Sequence, residues 1–321
     1  MRVVVTGGAG FLGTLLARRL LAGPIAVGGQ DAVPVDELVL ADLVAPASDL
    51  ADERRVRVVT GDLRQAELGD ADLVCHLAGV VSGAAEADFD LGLRTNVDAT
   101  RAVLEWCRAL PTPPVLVFAS SLAVYGADPA IGPVGDVDDD TLPRPQSSYG
   151  VQKFVAEQLV ADYTRKGFVR GRSVRLMTVV VRPGRPNAAA SGFLSGIIRE
   201  PLAGLPAVCP VPPDTEIALS SPGRTIAGIR RAAEVSDGQW GSRTAMNLPA
   251  LTTTPAAMAE SLDRVTGERR SALIEWRDDP AVRAIVGSWP ARFTTARATD
   301  LGLDPEPSFD AVVRAYVDSI R

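Results

Sequence analysis

The sequence predicts a doubly wound α/β fold built on a parallel sheet, with a smaller mixed α/β part after it. Three observations carry that expectation. Near-continuous apolar runs of strand length recur through the first 180 residues, and such runs suit strands buried on both faces. Stretches of helix length separate them, and alternating strand and helix with crossovers of that size give a parallel sheet with helices on both sides. Only Pro24, Pro34 and Pro46 fall within residues 1–110, while the other 21 prolines follow Leu110. Proline suits neither a central strand nor a helix interior, so regular structure belongs to the first part and shorter elements to the second.

Taken in order, Arg2–Val5 reads as the first strand and Phe11–Leu21 as the first helix. Gly23–Asp36 is a long loop leading to a second strand at Glu37–Ala41, with a third at Val56–Val59 and a fourth at Asp72–Leu77. A helix is expected over roughly Ala84–Ala109, a fifth strand at Val115–Ala119, a helix at Tyr149–Arg165 and a sixth strand at Val174–Val181. In the Tyr149–Arg165 helix, Val151, Phe154, Val155, Leu159 and Val160 share one face at helical spacing. After residue 185 the pattern loosens. The acidic cluster Asp136–Asp140 reads as a solvated loop rather than a cation site.

Composition narrows the function. With 321 residues, 46% hydrophobic and 22% charged, the chain can bury a sizeable core. Thirty-three basic against thirty-nine acidic residues leave a net charge of −6, which argues against nucleic acid or an anionic membrane as a partner. Three cysteines (Cys75, Cys107, Cys209) match neither a disulfide framework nor zinc-ligand spacing. His76 is the single histidine, so neither a His-based metal site nor a Ser-His-Asp triad is expected. No apolar run approaches the ~20 residues of a membrane span, and the N-terminus reads directly as a strand rather than a secretory leader. A cytoplasmic location is expected.

Thr6–Gly13 links the first strand to the first helix. Gly7 allows the tight turn, Gly10 lets a pyrophosphate approach the backbone, and Gly13 lets the helix pack closely on the strand. Phe11 and Leu12 belong to the same helix start. The spacing of Gly7, Gly10 and Gly13 differs from the Gly-x-Gly-x-x-Gly form of many dehydrogenases. Asp42, at the end of the second strand, is placed to take the adenosine ribose hydroxyls and would repel a 2′-phosphate, which favours NAD over NADP. Asp62 and Leu63, after the third strand, are candidates to clamp the adenine. Either acid could instead simply cap its loop. Tyr149 and Lys153 lie four residues apart on one helix face, where an ammonium near a phenol favours the phenolate. Ser121, at the C-terminal end of the fifth strand, sits where open α/β sheets bind ligands and could hold a substrate oxygen beside Tyr149.

Thr6–Gly13, Ser121-x-x-x-Tyr125-Gly126 and Tyr149-x-x-x-Lys153 together resemble the extended short-chain dehydrogenase/reductase superfamily, which includes nucleotide-sugar epimerases and dehydratases. The resemblance implies that Ser121, Tyr149 and Lys153 are catalytic and that Lys153 also binds the nicotinamide ribose. It further implies that Asn96 supports the site and that His76-x-Ala78-Gly79 runs along the cofactor, with Ala78 against it; His76 itself reads as a core residue. No acid follows Ser121 within Leu122–Tyr125, which departs from the dehydratases. Thr178 stands where many sugar epimerases carry an asparagine that seats the nucleotide diphosphate.

Ala78–Gly83, Ala87–Asp90, Pro145–Gly150, Val179–Ala190, Ile197–Gly204 and Val286–Pro290 are similar to the NAD-dependent D-erythronate dehydrogenases, superfamily members that oxidise a four-carbon sugar acid at C2. This resemblance implies NAD-dependent oxidation of a small 2-hydroxy sugar acid, with D-erythronate giving 2-dehydro-D-erythronate. A nucleotide-sugar epimerase is the alternative, and an NAD-binding sensor without turnover a third reading. Ser82, Thr178 and Asn187 are expected at the substrate, with Arg182, Arg185 or Arg199 supplying a cation for its carboxylate. Residues 1–185 are expected to form the NAD-binding part that carries the catalytic residues, and 186–321 mainly the substrate part, interleaved with it across a shared cleft. A homodimer paired through Ala84–Ala109 and Tyr149–Arg165 is the expected assembly.

Overall fold

The computed structural model describes residues 1–184 and 189–320. Its centre is a seven-stranded sheet made of β1 (Arg2–Thr6), β2 (Glu37–Asp42), β3 (Val56–Thr60), β4 (Leu73–His76), β5 (Val115–Ser121), β6 (Arg170–Leu176) and β10 (Met246–Asn247). The order is β10-β6-β5-β4-β1-β2-β3, and every neighbouring pair is parallel. The chain winds outward from β1 to β3, then returns to β4 and winds the other way. A crevice therefore opens between the carboxyl ends of β1 and β4, where such sheets bind ligands. Val3, Val4, Val5, Leu73, Val74 and Cys75 are buried there on both faces, which accounts for their unbroken apolar runs.

Two helical expectations change in the structure. The stretch Ala84–Ala109 is not one helix. It breaks at Asp88, which leaves helical geometry and caps the next turn by accepting a hydrogen bond from Leu91 N at 2.9 Å. A π-helical turn, Leu93–Asp98, then precedes α2 (Ala99–Ala109). In α3 (Ser148–Arg165) the buried residues are Gly150, Gln152, Lys153, Ala156, Glu157 and Val160. Val151 and Val155, which share the expected apolar face, are 45% and 40% exposed. Polar side chains win the sheet-facing positions because each has a partner there. Glu157 accepts from both Nε and Nη2 of Arg175 on β6, at 2.9 and 2.7 Å, and from Ser120 Oγ on β5. A buried ion pair is tolerated when its remaining lone pairs are satisfied in this way.

The sixth strand also differs. It begins at Arg170 and ends at Leu176, and Thr178–Val179 leaves it as β7. The early part is charged and does not read as a strand, yet Arg172 is 1% exposed. Its guanidinium reaches Asp237 at 2.8 Å and the carbonyl of Ala233 at 3.2 Å. β7 joins β9 (Ile217–Ser220) and β11 (Leu251–Thr253) in a second sheet of order β11-β9-β7. A two-stranded pair, β8 (Ala207–Cys209) with β12 (Ile274–Trp276), completes the strands.

The later chain serves both cores. Ile226, Ile229, Ala232, Met246 and Leu303 pack with Val3, Leu16 and Val117 in the core under the main sheet. A separate core gathers Leu194, Ile197, Leu219, Met258, Leu262, Phe309 and Val313. The acidic loop is largely exposed, as expected, but Asp139 accepts from Asn247 N at 3.0 Å and so ties the loop to β10.

Candidate active site

At the crevice, the turn after β1 meets the segment after β4. Gly7 has φ +72°, and a Cβ there would lie 2.7 Å from Ala78 N. A Cβ on Gly13 would lie 2.1 Å from the Gly7 carbonyl oxygen. Both positions therefore exclude a side chain, the first by conformation and contact and the second by contact. Gly10 is the N-cap of α1 (Phe11–Leu21) and no side chain caps the helix there. The first turn borders a cavity of about 300 Å³ that continues to Tyr149 and Lys153. Asp42 anchors the turn from the side: its carboxylate accepts from Ala9 N at 3.0 Å and from Leu43 N at 2.7 Å. A dinucleotide suits these residues, since the glycine turn, the open helix start and the acid at the end of β2 present backbone donors to phosphates and an acceptor to a ribose.

The other end of the cavity is built by β5 and α3. Ser121 ends β5 and borders the same cavity as Tyr149, and its Oγ accepts from Ala123 N at 3.2 Å. Lys153 Nζ donates to the Ala119 carbonyl at 2.9 Å and sits 4.8 Å from the Phe118 ring centre and 5.8 Å from that of Tyr149. Burial lowers its pKa to about 8, opposed by the charge of Glu157 one turn along α3. Burial raises the Tyr149 pKa, and the Ser121 hydroxyl and the charge of Arg182 pull it back down. Two cations thus lie near the phenol, Lys153 on its own helix and Arg182 from the segment after β7.

Residues 3–216 match the NAD dependent epimerase/dehydratase family. The chain belongs to that family. It is 51% identical to a D-erythronate dehydrogenase from Cupriavidus necator, over 99% of this chain and 98% of the relative. A second D-erythronate dehydrogenase, from Haemophilus influenzae, is 40% identical over 99% of both chains. Among solved structures, one described as a nucleoside-diphosphate-sugar epimerase from Agrobacterium tumefaciens superposes with a TM-score of 0.86 at 34% identity, covering 99% of this chain and 94% of its own.

Within this family member, Ser82, Ser121, Tyr149, Lys153, Thr178 and Arg182 all border the one cavity, together with Gly7, Gly10, Phe11, Leu12 and Gly13. Asn96 stands behind it. Its amide accepts from Val80 N at 3.0 Å and donates to Val80 O at 3.2 Å and to Gln152 Oε1 at 2.8 Å, so it clamps the segment after β4 onto α3. His76 is fully buried between Thr6 Oγ1 and Thr100 Oγ1, at 2.6 and 2.9 Å.

Other expected residues lie elsewhere. Asp62 caps its own turn, accepting from Arg64 N at 2.9 Å, and its ion pair with Arg64 holds the carboxyl at about 2. Neither it nor Leu63 borders the cavity, and neither do Asp42 and Ala78. Arg199 faces away, paired with Glu200 and donating to the Arg182 carbonyl at 2.8 Å. Arg185 and Asn187 lie outside the described residues. The sequence reading missed Gln152 and Trp289. Gln152 had no signal beyond its place between Tyr149 and Lys153. Trp289 sits in the Val286–Pro290 stretch and borders the cavity.

Proposed function

We propose that this protein oxidises the C2 hydroxyl of a small 2-hydroxy sugar acid with NAD, converting D-erythronate to 2-dehydro-D-erythronate. The observation that carries the reading is Arg182, which borders the same cavity as Ser121 and Tyr149 and acts on the Tyr149 phenol through its charge. A 2-hydroxy acid carries its carboxylate on the carbon next to the reacting one. A guanidinium beside the general base therefore suits both groups at once. The two D-erythronate dehydrogenases at 51% and 40% identity support the choice of acid.

Bound NAD supplies a hydride acceptor. Tyr149 takes the proton of the substrate hydroxyl, Ser121 hydrogen-bonds the reacting oxygen, and Lys153 favours the phenolate and would hold the nicotinamide ribose. Ser82 and Thr178 offer hydrogen bonds to the remaining hydroxyls. In this division of labour, residues 1–185 hold the cofactor and the remainder mainly shapes the substrate end. Val151, Val155 and Phe89 are exposed apolar side chains on α3 and on the Ala84–Ala109 stretch, which supports a homodimer paired through that face. No helix among the described residues is long and apolar enough to cross a membrane, and a cytoplasmic enzyme is the reading adopted.

The solved relative described as a nucleoside-diphosphate-sugar epimerase favours a second reading, against which Thr178 weighs. Following NADH absorbance with C3–C6 sugar acids, and UDP-sugars separately for epimerisation, decides between them. NADH formation with a four-carbon acid is expected. A silent acid panel with UDP-sugar interconversion overturns the proposal.

A further inference from the structure

We propose that Trp289 sets the length of acid the site accepts, acting as a removable partition at the substrate end of the cavity. The inference rests on the sugar-acid reading above and concerns specificity within it. Leu122, Thr178 and Trp289 border two cavities at once: the active-site cavity and a second, smaller one. The rest of the second is walled by Glu216, by Ile217 and Ala218 of β9, and by Val286 and Pro290, none of which borders the first. The second cavity measures about 10 Å³, room for roughly one water and not for a hydroxylated carbon.

The three separating residues are not equivalent. Leu122 directly follows Ser121, and Thr178 is paired with Leu219 in the second sheet, so moving either disturbs the catalytic wall. Trp289 enters from a turn outside both sheets. That turn is held by its backbone: Trp289 N donates to Val286 O at 3.3 Å, and Ser288 O accepts from Ala127 N at 2.8 Å. The indole can therefore be shortened while its support stays in place. Its half-buried position, against both Met177 and the second core, keeps it standing between the two spaces.

The test is kcat/KM for C3–C6 sugar acids with the wild type, Trp289→Phe, Trp289→Leu and Trp289→Ala, with NAD affinity measured by calorimetry. The wild type is expected to fall about tenfold or more from a four-carbon to a five-carbon acid, the discrimination a closed pocket gives for one added carbon. Trp289→Leu and Trp289→Ala should raise the five-to-four-carbon ratio about tenfold, with NAD affinity unchanged and Trp289→Phe between them and the wild type. Should Trp289→Ala fail to fold, Trp289→Leu and the wild-type length profile still decide the matter. Equal losses at every chain length, or a wild type that already takes six-carbon acids as well as four, would overturn the assignment. A wild type that oxidises no acid of any length instead brings down the functional reading beneath it.

Discussion

Tyr149 is held as a neutral phenol by the cavity that needs it as a base. Burial raises its pKa, while the Ser121 hydroxyl and the charge of Arg182 offset that rise. Tyr149→Phe keeps the ring and removes the proton acceptor. Its kcat should fall by about 10²–10⁴-fold, with NAD binding retained in a calorimetric titration; near-normal turnover would refute the assignment. Because the reactive form is deprotonated and its pKa is raised, kcat/KM for oxidation should climb with pH across the neutral range. Asp42 governs the choice of cofactor. Its carboxylate is pinned at the glycine turn by two backbone N–H groups, so a 2′-phosphate placed there meets a fixed negative charge. Repulsion of about 1–4 kcal/mol at close range should favour NAD over NADP by roughly tenfold or more in kcat/KM, and equal values would show that the ribose lies elsewhere.

At the scale of the element, α3 decides more than its two catalytic residues. An amphipathic helix normally buries its apolar stripe, yet α3 turns Gln152, Lys153 and Glu157 toward the sheet and leaves Val151 and Val155 at the surface. Gln152 Oε1, Lys153 and Glu157 each find a partner on β5, β6 or the π-helical turn, while Gln152 Nε2 is left without one. That arrangement aims Lys153 and Tyr149 at the end of β5, and it leaves an apolar strip needing another cover. Replacing Val151 and Val155 by Asp should convert a dimer into a monomer in sedimentation velocity, with far-UV circular dichroism unchanged. A wild type that sediments as a monomer at micromolar concentration would refute pairing through this face.

For the whole molecule, the single histidine provides a pH signature. His76 is fully buried and its pKa is lowered to about 3 by burial and, less strongly, by the charge of Lys153. In the unfolded chain it titrates near 6.5. The unfolded state therefore binds the extra proton between these values, and stability falls as pH drops below 6.5 toward 3. Between pH 7 and pH 5 this group alone should remove about 2 kcal/mol. Urea unfolding at the two pH values should show that loss in the wild type and not in His76→Gln. An equal loss in both would mean that carboxylates elsewhere govern the acid limb.

What the sequence determined by itself follows from local rules. A left-handed turn at Gly7 and a helix that cannot carry a Cβ at Gly13 demand glycine wherever the chain goes next. Doubly buried strands must read as apolar runs, and residues four apart share a helix face, so the parallel sheet and the placing of Tyr149 with Lys153 on α3 were legible in advance. Ser121 was legible because the end of a central strand is a ligand position in such sheets. The tertiary structure alone decided which arginine enters the cavity, since Arg182 and Arg199 lie 17 residues apart and have equally suitable chemistry. It also decided that the charged start of β6 is a strand, because Arg172 finds Asp237 across 65 residues. Trp289 became part of the site only when a turn near the end of the chain closed over β7. These outcomes depend on which distant segments meet, and the burial and pairing that choose among them exist only once the chain has folded.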